Sequence, residues 1–215
     1  MTRTTLHVYD HCPYCIRARM PLGLKSIPAE LRFLANDDEE TPIRMIGAKM
    51  LPILEDEDGF MGESLDIVAK LDALSGVPLF AGDPDEALVD WIRRWGDLLN
   101  DLVIPRTADP VYPEFETASA RAYFTARKTA IFGDFPELLS RSDSLIAEME
   151  VALDHLVPLL PDPSAPSIDD ILLFPLLRTL TVVEGLHYPG PVAAYMAAMS
   201  EASGVPLVPD LRAAG

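Results

Sequence analysis

The chain has two cysteines, Cys12 and Cys15, three positions apart, at the point where an extended pattern gives way to a helical one. Upstream, residues 5 to 9 read as a short strand. Downstream, Pro13 suits a first helical turn, because its missing N–H costs no helical hydrogen bond and its φ is already set. Ile16, Met20 and Leu24 then recur at helical spacing, and Gly23 to Pro28 ends the run. Such a pair is not the dispersed framework that staples small secreted domains. Its position suggests chemistry at a helix N-terminus.

If Cys12 caps that helix, unpaired backbone N–H groups and the positive dipole end face its sulfur and favour the thiolate. The thiolate is the nucleophile of disulfide exchange, so Cys12 is the predicted attacker. Cys15 lies one turn on, where side chains three apart are separated by roughly 5 to 6 Å, within disulfide reach. It can resolve a mixed disulfide, and its sulfur is expected to be more buried and less ionised. Tyr14 is expected to point outward. Arg17 and Arg19 add positive charge to the first two turns, where either could stabilise the thiolate or a ligand carboxylate, or simply be solvated. His11 could tune the nucleophile or be an ordinary loop histidine. A structural zinc site would want two more Cys or His ligands, and of the nearby candidates His7 reads as a packed strand residue. No metal is expected.

Further along, residues 31 to 34 read as a second strand, and a helix opens at Thr41 with Pro42 inside it. Residues 50 to 54 lead into an acidic turn at 56 to 59, and Phe60-Met61 return as the partner strand of a hairpin. Ser64 is a good N-cap for a helix carrying Leu65, Val68 and Leu71. The order is β-α-β-α-β-β-α over residues 1–74. Residues 75–84 have no periodic pattern and read as a linker. Residues 85–215 show helical segments near 84 to 103, 117 to 132, 142 to 156, 168 to 184 and 190 to 203, and no alternating strand. A capping-box relative at Ser167 to Asp170 precedes the apolar run 171 to 177.

The 215 residues carry a formal net charge of −17, which repels nucleic-acid phosphates and anionic lipids. No run approaches the roughly eighteen apolar residues of a membrane helix. Neither nucleic acid nor membrane is an expected partner. The first five residues leave no room for a signal segment, so a cytoplasmic location is expected. Residues 12 to 54 hold six basic against five acidic side chains, so the surroundings of the motif escape the general negative field. An anionic ligand could approach there.

Tyr9-Asp10-His11-Cys12-Pro13-Tyr14-Cys15 after an opening strand resembles a glutaredoxin, and the long helical continuation resembles the glutaredoxin 2 family of bacterial proteins. Arg17-Ala18-Arg19-Met20, Asn36-Asp37-Asp38, Pro52-Ile53-Leu54, Glu63-Ser64-Leu65-Asp66 and Leu172 to Arg178 extend the likeness. The resemblance implies a fold of α/β plus all-α class. A thioredoxin-like N-terminal domain with a mixed four-stranded sheet is followed by an α-helical C-terminal domain, as in glutathione transferases. It implies a cis Leu51-Pro52 peptide, with Leu51, where the family usually has Val, offering its backbone to the cysteinyl part of glutathione. It implies that Glu63 and Ser64 hold the γ-glutamyl end, with Tyr14 completing the glutathione-binding set; a plain N-cap is the competing role for Ser64. Lys49 is near enough to meet the glycine carboxylate, with a simply solvated lysine as the competing reading.

The expected activity is a glutathione-dependent thiol-disulfide oxidoreductase with Cys12 and Cys15 as catalytic residues. Its expected partners are glutathione as reducing co-substrate, with no tightly bound cofactor, and disulfide-containing or glutathionylated proteins. A monomer is expected. The alternatives are a glutathione transferase conjugating electrophiles, a non-enzymatic redox-sensing or metal-binding module, and an exported disulfide-forming oxidant.

Overall fold

Strand β1 (Thr5–Val8) runs into helix α1 (Pro13–Leu24), and β2 (Glu30–Phe33) returns parallel to β1 with Leu6 opposite Leu31. After α2 (Glu40–Ile46), the hairpin β3 (Ile53–Asp56) and β4 (Gly59–Met61) adds two antiparallel strands, giving the sheet order β2-β1-β3-β4. Helix α3 (Ser64–Ala73) closes this part. The mixed four-stranded sheet with helices is the expected architecture. The computed structural model describes residues 4–74 and 76–214. Residues 1–3, where the first expected domain begins, Ser75, the first position of the expected linker, and Gly215 lie outside the described residues.

The helical part comprises α4 (Glu86–Val103), α5 (Ala118–Phe132), α6 (Phe135–Ser140), α7 (Ser142–Leu156), α8 (Ile168–Leu180), α9 (Gly190–Ser203) and α10 (Val208–Ala214). Two of these, α6 and α10, were not among the expected segments. Each is at most seven residues long, too short for apolar periodicity to emerge. Helix α8 stops at Leu180 rather than near 184, because the Thr181 hydroxyl donates back to the Arg178 carbonyl at 2.7 Å and accepts the Val208 N–H at 3.1 Å. The capping box at its start is present: the Ser167 N–H donates to the Asp170 carboxylate at 2.8 Å, and Asp170 also accepts the Tyr195 hydroxyl at 2.8 Å.

Helix α1 is apolar on two sides. Cys15 and Ala18 face the sheet core with Leu6, Val8, Ile53 and Ile67, whereas Ile16 and Met20 join the core of the helical part around Phe174 and Met199. One helix therefore serves as the wall of both cores. Two further devices bind the parts together. Lys25 and Asp72 pair at 2.6 Å, and the Asp72 carboxylate accepts the N–H groups of Leu79 and Phe80 at 3.0 Å, pinning the chain as it crosses toward α4.

Gly23 of α1 supplies the other device. A Cβ built there would lie 2.0 Å from the Ser203 carbonyl oxygen, so the two backbones meet in space that only glycine leaves open. Gly23→Ala should force α1 and α9 apart at an overpacking cost of about 1–3 kcal/mol. Thermal unfolding should then show a melting temperature lower by roughly 3–10 °C; an unchanged melting temperature would show that the contact is not held closed in solution.

Candidate active site

The loop between β1 and α1 is held from the helical part before it delivers Cys12. Arg178, fully buried on α8, donates to the Asp10 carbonyl at 2.6 Å and to the Asp10 carboxylate at 3.0 Å, and its Nε donates to the Pro206 carbonyl at 3.0 Å. Arg19 of α1 pairs with the other Asp10 oxygen. Burial alone would raise the Asp10 carboxyl, but the two guanidiniums outweigh it and hold it below the usual carboxylate range. The next residue, His11, is gripped by Glu114: one carboxylate oxygen accepts the His11 backbone N–H at 2.8 Å and lies 2.6 Å from Nδ1. The ring sits among Tyr9, Phe115 and Phe124, with centroids 5.6, 4.9 and 5.4 Å away.

Cys12 occupies the N-cap of α1, with Pro13 as the first helical residue. It is partly exposed, whereas Cys15 is fully buried. The Cys12 thiol is lowered to about 6. The largest contribution is the hydrogen bond it accepts from the Cys15 thiol, which outweighs the opposing effect of burial, and the His11 charge and the backbone N–H groups of Cys15 and Tyr14 add to it. Cys15 is pushed in the opposite direction by burial, by the hydrogen bond it donates to Cys12 and by the Cys12 charge. The Tyr9 N–H donates to its sulfur at 3.3 Å. The expected division into exposed attacker and buried partner is therefore built into the two environments. Both thiols are free.

All five residues assigned to glutathione by resemblance meet in one place. Tyr14, Leu51, Pro52, Glu63 and Ser64, with Met50, line a cavity of about 250 Å³. The Leu51-Pro52 peptide is cis. Tyr14 is 55% exposed, as expected, and the Arg17 guanidinium stacks 4.9 Å from its ring centroid. Ser64 is not the N-cap: Glu63 takes that position at φ 61° and accepts the Ile67 N–H on its carbonyl at 3.0 Å, while buried Ser64 is the first helical residue. The cap sits one residue earlier because Glu63 holds the non-helical conformation, in the left-handed region that residues with side chains seldom adopt.

An adjoining cavity of about 410 Å³ shares Tyr14, Met50 and Leu51 and contains Cys12, with Lys49, Arg127 and Lys128 on its walls. Lys49 is half-buried and its ammonium is engaged. Its ammonium donates to the Tyr9 hydroxyl at 3.0 Å and to the carbonyls of Asn36 and Asp38 at 2.7 and 2.6 Å, tying the loop after β2 to the motif. Of the two candidate arginines, Arg19 serves Asp10 and Arg17 lies over Tyr14. His7 is packed in the sheet with Nε2 2.9 Å from Glu55, and among the described residues no group of three or more His, Cys, Asp or Glu could hold a metal.

Residues 87–211 match the family model described as the glutaredoxin 2 C-terminal domain, and residues 6–79 match the N-terminal domain of glutathione S-transferases. Glutaredoxin 2 of Escherichia coli strain K12 is 45% identical over 211 residues, 96% of this chain and 98% of that protein. The chain belongs to the glutaredoxin 2 family. Members of this family are glutathione-dependent oxidoreductases. The crystal structure of glutaredoxin 2 from Salmonella typhimurium in complex with glutathione superposes with a TM-score of 0.93 at 43% identity, covering 98% of this chain and 99% of that one. At the level of fold alone, a Tau class glutathione transferase from mango aligns with a TM-score of 0.59 at 19% identity, over 97% of this chain and 95% of that one.

The residues that residue-by-residue reading of the glutaredoxin motif did not reach are those from the helical part. Arg178 carried a signal, since a guanidinium that directly follows the apolar run from Ile171 to Leu177 on a buried helix must find a buried partner. Glu114, Arg127 and Lys128 carried none.

The two thiol environments predict a distinct alkylation profile. Iodoacetamide should modify one cysteine rapidly in the reduced protein, with a rate that rises as pH increases through about 6, where the Cys12 thiolate forms. Cys15→Ala removes the thiol donor and should move that rise to higher pH; a profile left in place would exclude the Cys15 hydrogen bond as the main source of the acidity.

Proposed function

We propose that this chain reduces protein disulfides and glutathione mixed disulfides, with glutathione as reductant and Cys12 as nucleophile. The observation that carries the reading is the juxtaposition of an acidic, partly exposed Cys12 thiol with the cavity formed by Tyr14, Leu51, Pro52, Glu63 and Ser64. In that cavity the Leu51 backbone is suited to pair with the cysteinyl amide of glutathione. The Ser64 hydroxyl and the N-terminus of α3 suit the γ-glutamyl carboxylate, and the Glu63 carboxylate suits its ammonium group. The Salmonella relative, crystallised in complex with glutathione, supports glutathione as the ligand.

Attack by the Cys12 thiolate on a glutathionylated substrate releases the substrate thiol and leaves glutathione on Cys12. A second glutathione, or Cys15, then breaks that mixed disulfide. The buried, weakly acidic Cys15 fits a resolving role needed for protein disulfides and dispensable for glutathionylated ones. The same reading makes the protein a cytoplasmic monomer taking part in electron transport through a transient Cys12–Cys15 disulfide; cysteine usage confined to the motif supports the reducing compartment. A transferase that conjugates electrophiles would keep the glutathione thiolate as its own nucleophile and have no use for the paired Cys15.

In a glutathione-coupled hydroxyethyl disulfide assay, Cys12→Ser should lose at least about a hundredfold in turnover, while Cys15→Ser should stay active on glutathionylated peptides. Full activity without Cys12, or chlorodinitrobenzene conjugation with negligible disulfide reduction, would overturn the reading.

Glu63 offers a second test, because its left-handed backbone costs the fold roughly 1–3 kcal/mol. Glu63→Gly should raise the melting temperature by about 2 °C or more while raising the KM for glutathione about tenfold or more through loss of the charged hydrogen bond. A variant with unchanged KM would remove Glu63 from the binding set.

A further inference from the structure

Glu114 stands out among the acidic residues of this strongly acidic chain. Its residue is 1% exposed, and it comes from the loop before α5, 103 positions from His11. Both hydrogen bonds of its side chain go to His11: the backbone N–H at 2.8 Å and Nδ1 at 2.6 Å. The other carboxylate oxygen is buried with no partner. Desolvating a carboxylate this far is costly unless what it contacts repays the cost. Its backbone is committed as well, since the Glu114 carbonyl accepts the Asn36 N–H at 3.0 Å.

With Nδ1 donating to the carboxylate, the tautomer is fixed and Nε2 is the nitrogen left to act. Among the described residues Nε2 has no hydrogen-bond partner. The ring lines both the cavity of about 410 Å³ and a further one of about 270 Å³, and Cys12 lines both. Aromatic contacts with Tyr9, Tyr112, Phe115 and Phe124 hold the ring from the other directions. A carboxylate that orients an imidazole beside a nucleophilic sulfur is the arrangement by which activated nucleophiles are generally made.

We propose that Glu114, His11 and Cys12 form a relay across the two domains, in which buried Glu114 is a positioning residue and His11 Nε2 carries the proton exchanged with the thiols reacting at Cys12. The inference deepens the proposed disulfide reduction and rests on it. When the Cys12 thiolate attacks the glutathionyl sulfur of a mixed disulfide, a sulfur–sulfur bond forms at Cys12. The old one breaks, and its electron pair leaves on the substrate thiolate. The imidazolium gives its Nε2 proton to that thiolate. The second glutathione thiol then returns a proton to Nε2 and attacks the glutathionyl sulfur as a thiolate. Cys12 leaves as the thiolate it began as. One mixed disulfide and one glutathione thus become one substrate thiol and one glutathione disulfide, with the proton conserved through His11.

Other groups face the pair. Tyr14, Cys15 and Arg17 come from α1, Tyr9 and Asp10 from the end of β1 and its loop, Lys49 from before the cis-proline, Tyr112 from the loop before α5, and Lys128 from α5. Lys49 is engaged with two carbonyls and Tyr9, and Arg17 stacks on Tyr14. Arg127, on the same wall, pairs with Glu39 at 3.4 Å and lies over the Tyr123 ring. Lys128 makes no ion pair among the described residues, so Lys128→Gln is the control for a purely electrostatic effect.

The test compares Glu114→Gln, His11→Gln, the double variant and Lys128→Gln by two readouts. The first is the pH profile of Cys12 alkylation by iodoacetamide, which requires neither glutathione nor a disulfide. The second is turnover on two glutathione mixed disulfides, one releasing an alkyl thiol and one releasing the acidic thionitrobenzoate, which departs without a proton. The relay predicts that Glu114→Gln and His11→Gln slow alkylation at pH 6 by about fivefold to tenfold. It also predicts that they slow release of the alkyl thiol at least about tenfold more than release of thionitrobenzoate, and that the double variant adds nothing further. Lys128→Gln should leave the leaving-group ratio at the wild-type value.

A merely structural Glu114 would lower the melting temperature and both turnovers alike. An unchanged leaving-group ratio in either single variant, or additive losses in the double variant, would overturn the relay. If Glu114→Gln does not fold, His11→Gln alone decides, since it leaves the carboxylate in place. Loss of all glutathione turnover with an intact alkylation profile would sink the proposed function and, with it, the relay's substrate, which distinguishes that failure from a failure of the relay itself.

Discussion

The pairing of Arg178 with Asp10 is the contact on which the rest of the structure depends. Both groups are buried, Asp10 shares its other oxygen with Arg19, and Arg178 also reaches the Asp10 and Pro206 carbonyls, so nearly every polar atom in the cluster is satisfied. Such a cluster does not compare favourably with an apolar one of equal volume, because desolvation offsets most of the Coulombic gain; yet removing one member strands the others at a cost of about 3–5 kcal/mol. What it provides is geometry. The loop that places Cys12 at the head of α1 has one allowed position relative to α8. Because Asp10 is held ionised, that constraint persists above the usual carboxylate range and is lost only as pH falls through the lowered value.

From that fixed point the site follows by short steps. The loop delivers Cys12 to the N-cap, and Cys15 one turn later is carried into the sheet core, where burial keeps it protonated and able to donate to Cys12. The same burial that makes Cys15 a poor nucleophile makes Cys12 a good one. Because α1 is the wall shared by both cores, with Ile16 and Met20 facing the helices and Ala18 facing the sheet, the rigidity of the nucleophile's position is drawn from the packing of the whole chain. Gly23 against Ser203 closes the far end of that wall.

Much of this was legible from residue order. The strand-to-helix switch around Cys12 and the hairpin turn at residues 56 to 59 are local signals, and local signals place local structure. The gathering of Leu51, Pro52, Glu63 and Ser64 beside Tyr14 was legible only through the resemblance to glutaredoxins, since no periodicity says that a helix start and a proline will face the same dithiol. The cap of α3 was misplaced by one residue because Ser64 has the better propensity, and propensity yields where the backbone at Glu63 is held in a left-handed conformation. Short helices such as α6 leave too few apolar repeats to see. Glu114 was invisible for a different reason: a glutamate in a loop reads as solvated, and its burial exists only once the chain has brought together residues 103 positions apart.

The two residues that precede the nucleophile are each held from the helical part, Asp10 by Arg178 and His11 by Glu114. One grip comes from α8 and the other from the loop before α5, elements distant in sequence that converge on consecutive residues. A thioredoxin-like domain needs neither contact to place a cysteine at a helix N-terminus, as the cap geometry of Cys12 is local. The contacts therefore bear on how the sulfur behaves more than on where it is. Within a chain of net charge −17, whose general field opposes thiolates and anionic co-substrates alike, local cations and oriented dipoles have to outweigh the surroundings at short range. Burying Glu114 against His11 rather than leaving it in solvent follows the same logic: its carboxylate holds the residue beside the nucleophile and helps keep the Cys15 thiol protonated. The helical half is in this sense part of the active site, because it decides which charges the nucleophile experiences.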